Sequence, residues 1–135
     1  PNQDLSFMKQ GMVSIYMSQI LQDTPSLIIK GSLERYRDFV YIDDVVDIVK
    51  HSILSSIFDN KTLNVGTGVK TSIHELIEML FNVLGKKKSI EIYEGTLGDQ
   101  FGVVANNDLL SSIVNHTFIP LNIGLERMAN WAKIK

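Results

Sequence analysis

The side chains with the longest chemical reach in this chain are Arg35 and Arg37, two places apart in the stretch RYRDFVYIDDVV at 35–46. A guanidinium presents a planar fork of N–H donors that grips a carboxylate or phosphate through two bonds at once. In an alternating strand over 35–42, Arg35, Arg37, Phe39 and Tyr41 share one face, while Tyr36, Asp38, Val40 and Ile42 take the other. Cations on such a face either reach water or meet an anion, and residue chemistry alone leaves the choice between Arg35 and Arg37 open. Asp38 next door points away from both and is a poor partner within the strand.

Asp43 and Asp44 suggest a general acid and base, but adjacent carboxylates point apart. One of them is expected instead to open a helix by accepting free first-turn N–H groups. The glycines of NVGTG at 64–68 invite a phosphate cradle, since glycine lets backbone N–H groups approach an anion. Their spacing matches neither G-x-G-x-x-G nor G-x-x-x-x-G-K-[ST], and the following helix starts only after Val69, Lys70 and Thr71, so a turn is the expectation. His51, His74 and His116 lie far apart and lack metal spacing, which predicts structural or surface roles and no metal site. No serine stands in a G-x-S-x-G elbow.

The elements that must carry these residues alternate between strand and helix. Phe7, Met8, Met12, Ile15, Tyr16, Ile20 and Leu21 recur at helical spacing up to Pro25. LIIKG at 27–31 and the arginine stretch read as strands, followed by a helix with Val45, Val46, Val49, Ile53 and Ile57 as its buried stripe, closed by Asp59 and Asn60. TLNVGTG at 62–68 reads as a short buried strand and loop. The next helix has a capping box from Ser72 and Glu75, an apolar face of Ile73, Leu76, Ile77, Leu80 and Leu84, and a stop at Gly85. SIEIYE at 89–94 is a strand, 106–114 a short helix capped by Asn106 or Asn107, and 122–132 a last helix presenting Leu125, Met128 and Ala132. This alternation predicts an α/β fold of mixed short strands and helices.

The 135 residues fit a single domain, with 44% hydrophobic and 21% charged residues, an ordinary globular composition. A net charge of -2 gives no general attraction to nucleic acid or anionic membrane, and the Lys86–Lys88 run reads as a solvated helix cap. Zero cysteines exclude disulfides and thiolate chemistry and are compatible with a cytoplasmic location. No apolar run reaches the ~18 residues of a membrane span. The start, PNQDLSFMKQG, has neither an initiating methionine nor the order of a signal peptide, so the chain is expected to be part of something longer.

KQGMVSIYMSQIL, KGSLERYRDFVYIDDVVDIVKHSI, LNVGTGVKTSIHELIEML and EGTLGDQFGVVANNDLL, in that order, resemble the carboxy-terminal part of the extended short-chain dehydrogenases. Within that group the similarity is to NAD-dependent nucleotide-sugar epimerases and dehydratases, notably those like UDP-glucose 4-epimerase, and it runs from Pro1 to about Trp131. The resemblance implies a Rossmann-type enzyme whose amino-terminal part binds NAD and carries a tyrosine–lysine pair, neither of which this sequence contains. Residues 1–135 are then the substrate-binding domain of an epimerase that passes through a keto-sugar, with NAD as hydride store. A 4,6-dehydratase, a decarboxylase and a non-catalytic nucleotide-sugar-binding module are the alternatives.

Carried over residue by residue, the resemblance gives Arg37 the substrate diphosphate. It sets Ile28 and Lys30 along the base and ribose, Met12 near the base, and Asp99 and Gln100 near the ribose. An arginine that many relatives carry shortly before the Gly98–Asp99 pair is missing here. The resemblance assigns Asn64 to Gly68 to a turn after a sheet strand. The implied partners are a nucleotide-sugar and a second copy of the intact enzyme, with neither nucleic acid nor membrane. The open strand at 63–65 is expected to make this chain self-associate.

Overall fold

The computed structural model describes residues 11–133, so Phe7 and Met8 lie outside the described residues. Helix α1, Met12–Leu21, leads into strand β1, Ser26–Lys30, and then β2, Tyr36–Arg37. Helix α2, Ile42–Leu54, is followed by a 3-10 turn at Ser56–Phe58, a long loop, strand β3, Thr71–Ser72, and helix α3, Ile73–Leu84. Strand β4, Ser89–Tyr93, strand β5, Gly102–Val103, and helices α4, Asp108–Ile113, and α5, Leu121–Lys133, complete the order. The fold is α/β as expected. Two small sheets form: β1 runs parallel to β4, and β2 lies between antiparallel β3 and parallel β5.

The main core lies between α1, α3, α5 and β1. Met17 and Ile20 from α1, Leu27 and Ile29 from β1, Ile73, Leu76, Ile77 and Leu80 from α3, and Leu125 and Met128 from α5 are all buried in it. Helix α3 is at its centre because its local signals agree. Ser72 Oγ accepts from the Glu75 N–H at 3.1 Å, and Glu75 Oε2 accepts from the Ser72 N–H at 2.7 Å, which closes the capping box. The Ser72 N–H, contributing most, and the Ser72 hydroxyl, which donates to Glu75 Oε2 at 2.8 Å, hold the Glu75 carboxyl below its ordinary pKa. Gly85 ends the helix at φ 65°, a left-handed backbone that glycine adopts without a Cβ clash. The lysine run caps α1 rather than simply meeting solvent: Lys88 Nζ donates to the Gln19 and Gln22 carbonyls, both at 2.7 Å, where the helix dipole is negative.

Five expectations need correction, the last of them the apolar face of α2. The strand at 35–42 is paired only at Tyr36 and Arg37, because β3 and β5 are themselves two residues long and Asp38 turns to other partners. Neither Asp43 nor Asp44 caps α2; Tyr41 holds the N-cap position without a side-chain bond. Asp43 is exposed in the first turn, whereas Asp44 is buried, accepts from the Ile119 N–H at 3.1 Å and pairs with His116 Nε2 at 2.9 Å. Residues 63–65 form no strand ladder, and helix α2 ends at Leu54, ahead of Asp59 and Asn60.

The stripe expected to be buried on α2 is open. Ile48 packs with Phe58 and Leu110 in a second, smaller cluster, yet Val46, Val49, Ile53 and Ile57 stay exposed, and Ile53 and the neighbouring Leu54 reach 76% and 83% exposure. No described element covers that face, and a contiguous apolar strip of this kind favours association.

Two outcomes follow. Ser72→Ala should lower unfolding stability by about 1 kcal/mol in urea denaturation, the usual worth of an N-cap side chain. Sedimentation velocity at rising concentration should show self-association that Val49→Lys with Ile53→Lys suppresses; a monomer at every concentration is the contrary result.

Candidate functional site

A groove of ≈ 800 Å³ runs between α1, the outward side of β1 and the loop at 96–99. Helix α1 lines it with Met12, Ile15, Tyr16 and Gln19, the i, i+3, i+4, i+7 set that shares one helical face. Strand β1 contributes Ile28 and Lys30, whose neighbours Leu27 and Ile29 alternate into the core. The far wall is Arg35 with Thr96, Leu97, Gly98 and Asp99. Four of the six expected binding residues, Met12, Ile28, Lys30 and Asp99, therefore share one groove.

Arg37 and Gln100 do not line it, but join it from the side. Arg37 Nη2 donates to Asp99 Oδ1 at 3.2 Å and to the Gln100 carbonyl at 2.9 Å, and its Nη1 donates to the Tyr36 carbonyl at 2.8 Å. Arg35 lies in the groove wall. Its Nη1 binds Asp99 Oδ2, its Nη2 the Lys30 carbonyl, and its Nε the Ser32 carbonyl at 3.2 Å. Both arginines thus converge on the single carboxylate of Asp99. Gly31, at φ 83°, makes room for this: a Cβ there would lie 2.9 Å from Arg35 Cζ.

Tyr16 is the buried aromatic of this wall. Burial raises its phenol pKa, more than the nearby positive charges of Arg35 and Arg37 lower it. The phenol therefore stays protonated at neutral pH and can donate a hydrogen bond. Gln19 reads the edge of β1: its Oε1 accepts from the Ile28 N–H at 2.8 Å and its Nε2 donates to the Ile28 carbonyl at 3.4 Å. Tyr16 and Gln19 are among the groove residues that were not singled out from the sequence, and Arg35 is the arginine that residue chemistry left open beside Arg37. For the first two the available signal was their helical spacing from Met12.

The glycine loop lies elsewhere and does bind an anion, one belonging to the chain itself. Asp38 Oδ1 accepts from the Thr67 N–H at 3.0 Å and from the Thr67 hydroxyl, and Oδ2 accepts from the N–H groups of Gly68 at 2.9 Å and Ala105 at 3.2 Å. Gly66 permits the approach, since a Cβ there would sit 2.7 Å from Asp38 Oδ2. Burial works against the Asp38 charge, but the bonds from Thr67, Gly68 and Ala105 together outweigh it and hold the carboxyl below its ordinary pKa. The loop is a turn, as expected. Because its donors at Thr67 and Gly68 are committed to Asp38, it does not fit the pyrophosphate of a dinucleotide such as NAD. No metal-ligating cluster occurs among the described residues, and no described helix is long and apolar enough to cross a membrane.

Residues 1–66 match the NAD dependent epimerase/dehydratase family. A Methanocaldococcus jannaschii protein, provisionally a UDP-glucose 4-epimerase, is 28% identical over 123 residues, which is 91% of this chain and 39% of that protein. A dTDP-4-dehydro-6-deoxyglucose reductase of Escherichia coli is 35% identical over 82 residues, 61% of this chain and 25% of that enzyme. Among solved structures, a UDP-glucose 4-epimerase of Thermotoga maritima crystallised with UDP-glucose superposes with a TM-score of 0.82 at 24% identity, over 99% of this chain and 42% of that one. The chain therefore spans well under half the length of the relatives it matches.

Asp38 also sets a pH dependence. Its folded pKa is lowered, so its contribution is full above the ordinary carboxylate range near about 4 and fades as pH falls through the folded value. Asp38→Asn should cost roughly 1.5–3 kcal/mol at pH 7, the range for hydrogen bonds to a charged group. Urea unfolding at pH 7 and pH 3 should show a smaller acid loss in the variant; an equal loss in both proteins would remove Asp38 from this role.

Proposed function

We propose, starting from a chain whose residues 1–66 carry the NAD dependent epimerase/dehydratase family domain, that it forms the nucleotide-sugar-binding part of an NAD-dependent epimerase acting on a UDP-sugar. The observation that supports this best is the groove itself. It sets apolar Met12, Ile15 and Ile28 and the edge of β1 at one side, where a flat base fits, and the cations Lys30 and Arg35 at the other, where a diphosphate would lie. Arg37, joined to the wall through Asp99, adds a second guanidinium.

The substrate-binding residues are then Met12, Ile28, Lys30, Arg37, Asp99 and Gln100, with Arg35, Tyr16 and Gln19 completing the surface. The chain's own residues here bind and orient; none of them is placed to move a hydride. NAD, which the glycine loop does not fit, is bound by another part of the intact protein and supplies the hydride store there. A UDP-glucose 4-epimerase from Mycolicibacterium smegmatis, 33% identical over 89 residues, supports the epimerase reading.

Isothermal titration of the 135-residue chain should show UDP and UDP-glucose binding, with uridine and glucose at least about tenfold weaker, because the phosphates carry the charged contacts. Arg37→Ala should weaken UDP by about 1.5–3 kcal/mol, the worth of a charge-assisted hydrogen bond. Equal affinity for UDP and uridine would refute a diphosphate grip.

A further inference from the structure

Asp99 stands where the ligand's anion should be. Its two oxygens bridge Arg35 and Arg37, and among the described residues it is the one carboxylate that either guanidinium meets; their other partners are the neutral carbonyls of Lys30, Ser32, Tyr36, Gln100 and Phe101. Two positive charges thus share a single negative one beside the apolar side chains Met12, Ile15, Ile28 and Leu97.

The three members of this cluster are not equally fixed. The Arg35 side chain is 9% exposed and the Arg37 side chain 22%, and backbone carbonyls orient both. The Asp99 side chain is 35% exposed and sits on the loop at 94–101, every residue of which is exposed. Leu97 at its tip is fully in solvent, and Gly98 takes φ 83°. If Asp99 swung away, the carbonyls of Lys30, Ser32 and Tyr36 would still aim the guanidinium groups at the place it left.

We propose that Asp99 is a built-in counter-ion, which holds Arg35 and Arg37 in register in the free groove and is exchanged for the acidic group of the ligand. This inference rests on the nucleotide-sugar reading and deepens it. Arg35 becomes a second phosphate-gripping residue, and Asp99 sets affinity by competing with the diphosphate for the two arginines. A doubly charged diphosphate displaces one carboxylate and restores charge balance; a neutral nucleoside has nothing to offer the arginines, so Asp99 stays in place. The exchange moves no proton and breaks no covalent bond.

The test compares the 135-residue chain with its Asp99→Asn and Asp99→Ser forms, titrated calorimetrically with UDP, inorganic pyrophosphate and uridine. Thermal melts accompany the titrations to confirm that each variant is folded. Each partly exposed ion pair is worth little, so losing two of them should tighten UDP and pyrophosphate by about three- to tenfold and leave uridine unchanged. The gain should shrink when Arg35→Gln is added to Asp99→Asn. Unchanged or weaker UDP binding in both Asp99 variants, with the parent chain binding UDP, would overturn the counter-ion role alone. If neither the parent nor the variants bind UDP, the nucleotide-sugar reading falls together with it.

Discussion

The groove and the glycine loop both depend on the placement of a two-residue strand, Tyr36–Arg37, between two others. Tyr36 donates its N–H to the Phe101 carbonyl at 3.1 Å, Asp38 donates to Val103 at 3.1 Å, and Ile73 donates to the Arg35 carbonyl at 2.8 Å. These bonds fix the register, and register decides which way each side chain points. Arg35 and Arg37 go toward Asp99 and the groove, while Asp38 goes toward Thr67 and Gly68. A slip of one residue would exchange the two faces, burying cations against the loop's N–H donors and turning the carboxylate toward the groove. Tyr36 opposes such a slip, since its ring rests where a side chain on Gly102 would lie, 2.0 Å from a Cβ built there.

Two carboxylates accept the chain's strongest donors, and the difference between them is instructive. Asp38 takes four bonds from backbone N–H groups and one hydroxyl on segments held by the fold. An external anion would have to replace all four at once and leave a desolvated carboxylate behind, so this site is structural. Asp99 takes its charged contacts from two long side chains and lies on an exposed loop. The Asp99 end of both pairs is partly exposed, which holds each to on the order of 1 kcal/mol, and a diphosphate with more charge would compete with them under the exchange proposed above. Magnitude, more than residue type, separates the permanent anion site from the exchangeable one.

Much of the fold was legible because its signals are local. The capping box of α3 spans four residues, and its apolar face follows one period through the helix, so sequence spacing alone located the central core element. The Met12, Ile28, Lys30 and Asp99 side of the groove followed from a family resemblance. The remaining features depend on partners distant in sequence. Asp44 meets His116 across 72 residues, Asp38 meets Thr67 across 29, and Arg35 meets Asp99 across 64, none of which a periodicity reveals. The α2 stripe was misjudged for a related reason. Val46, Val49 and Ile53 have the right spacing to be buried, but spacing says that a face is apolar and not that the described chain supplies its cover.

The outward edge of β1 is covered by the chain's own side chains. A strand with one unpaired edge invites another strand to join it. Here the carbonyls along that edge are engaged by side chains: Ser26 by Thr24 Oγ1 at 3.3 Å, Ile28 by Gln19, and Lys30 by Arg35. The side-chain amide of Gln19 matches the Ile28 peptide with one donor and one acceptor, the same paired pattern a base edge presents. Thr24 and Gln19 are single exposed side chains, whereas Arg35 is held by the Lys30 and Ser32 carbonyls, and another strand would have to displace all three together. An edge guarded in this way resists another strand. The exposed apolar face of α2 carries no such guard.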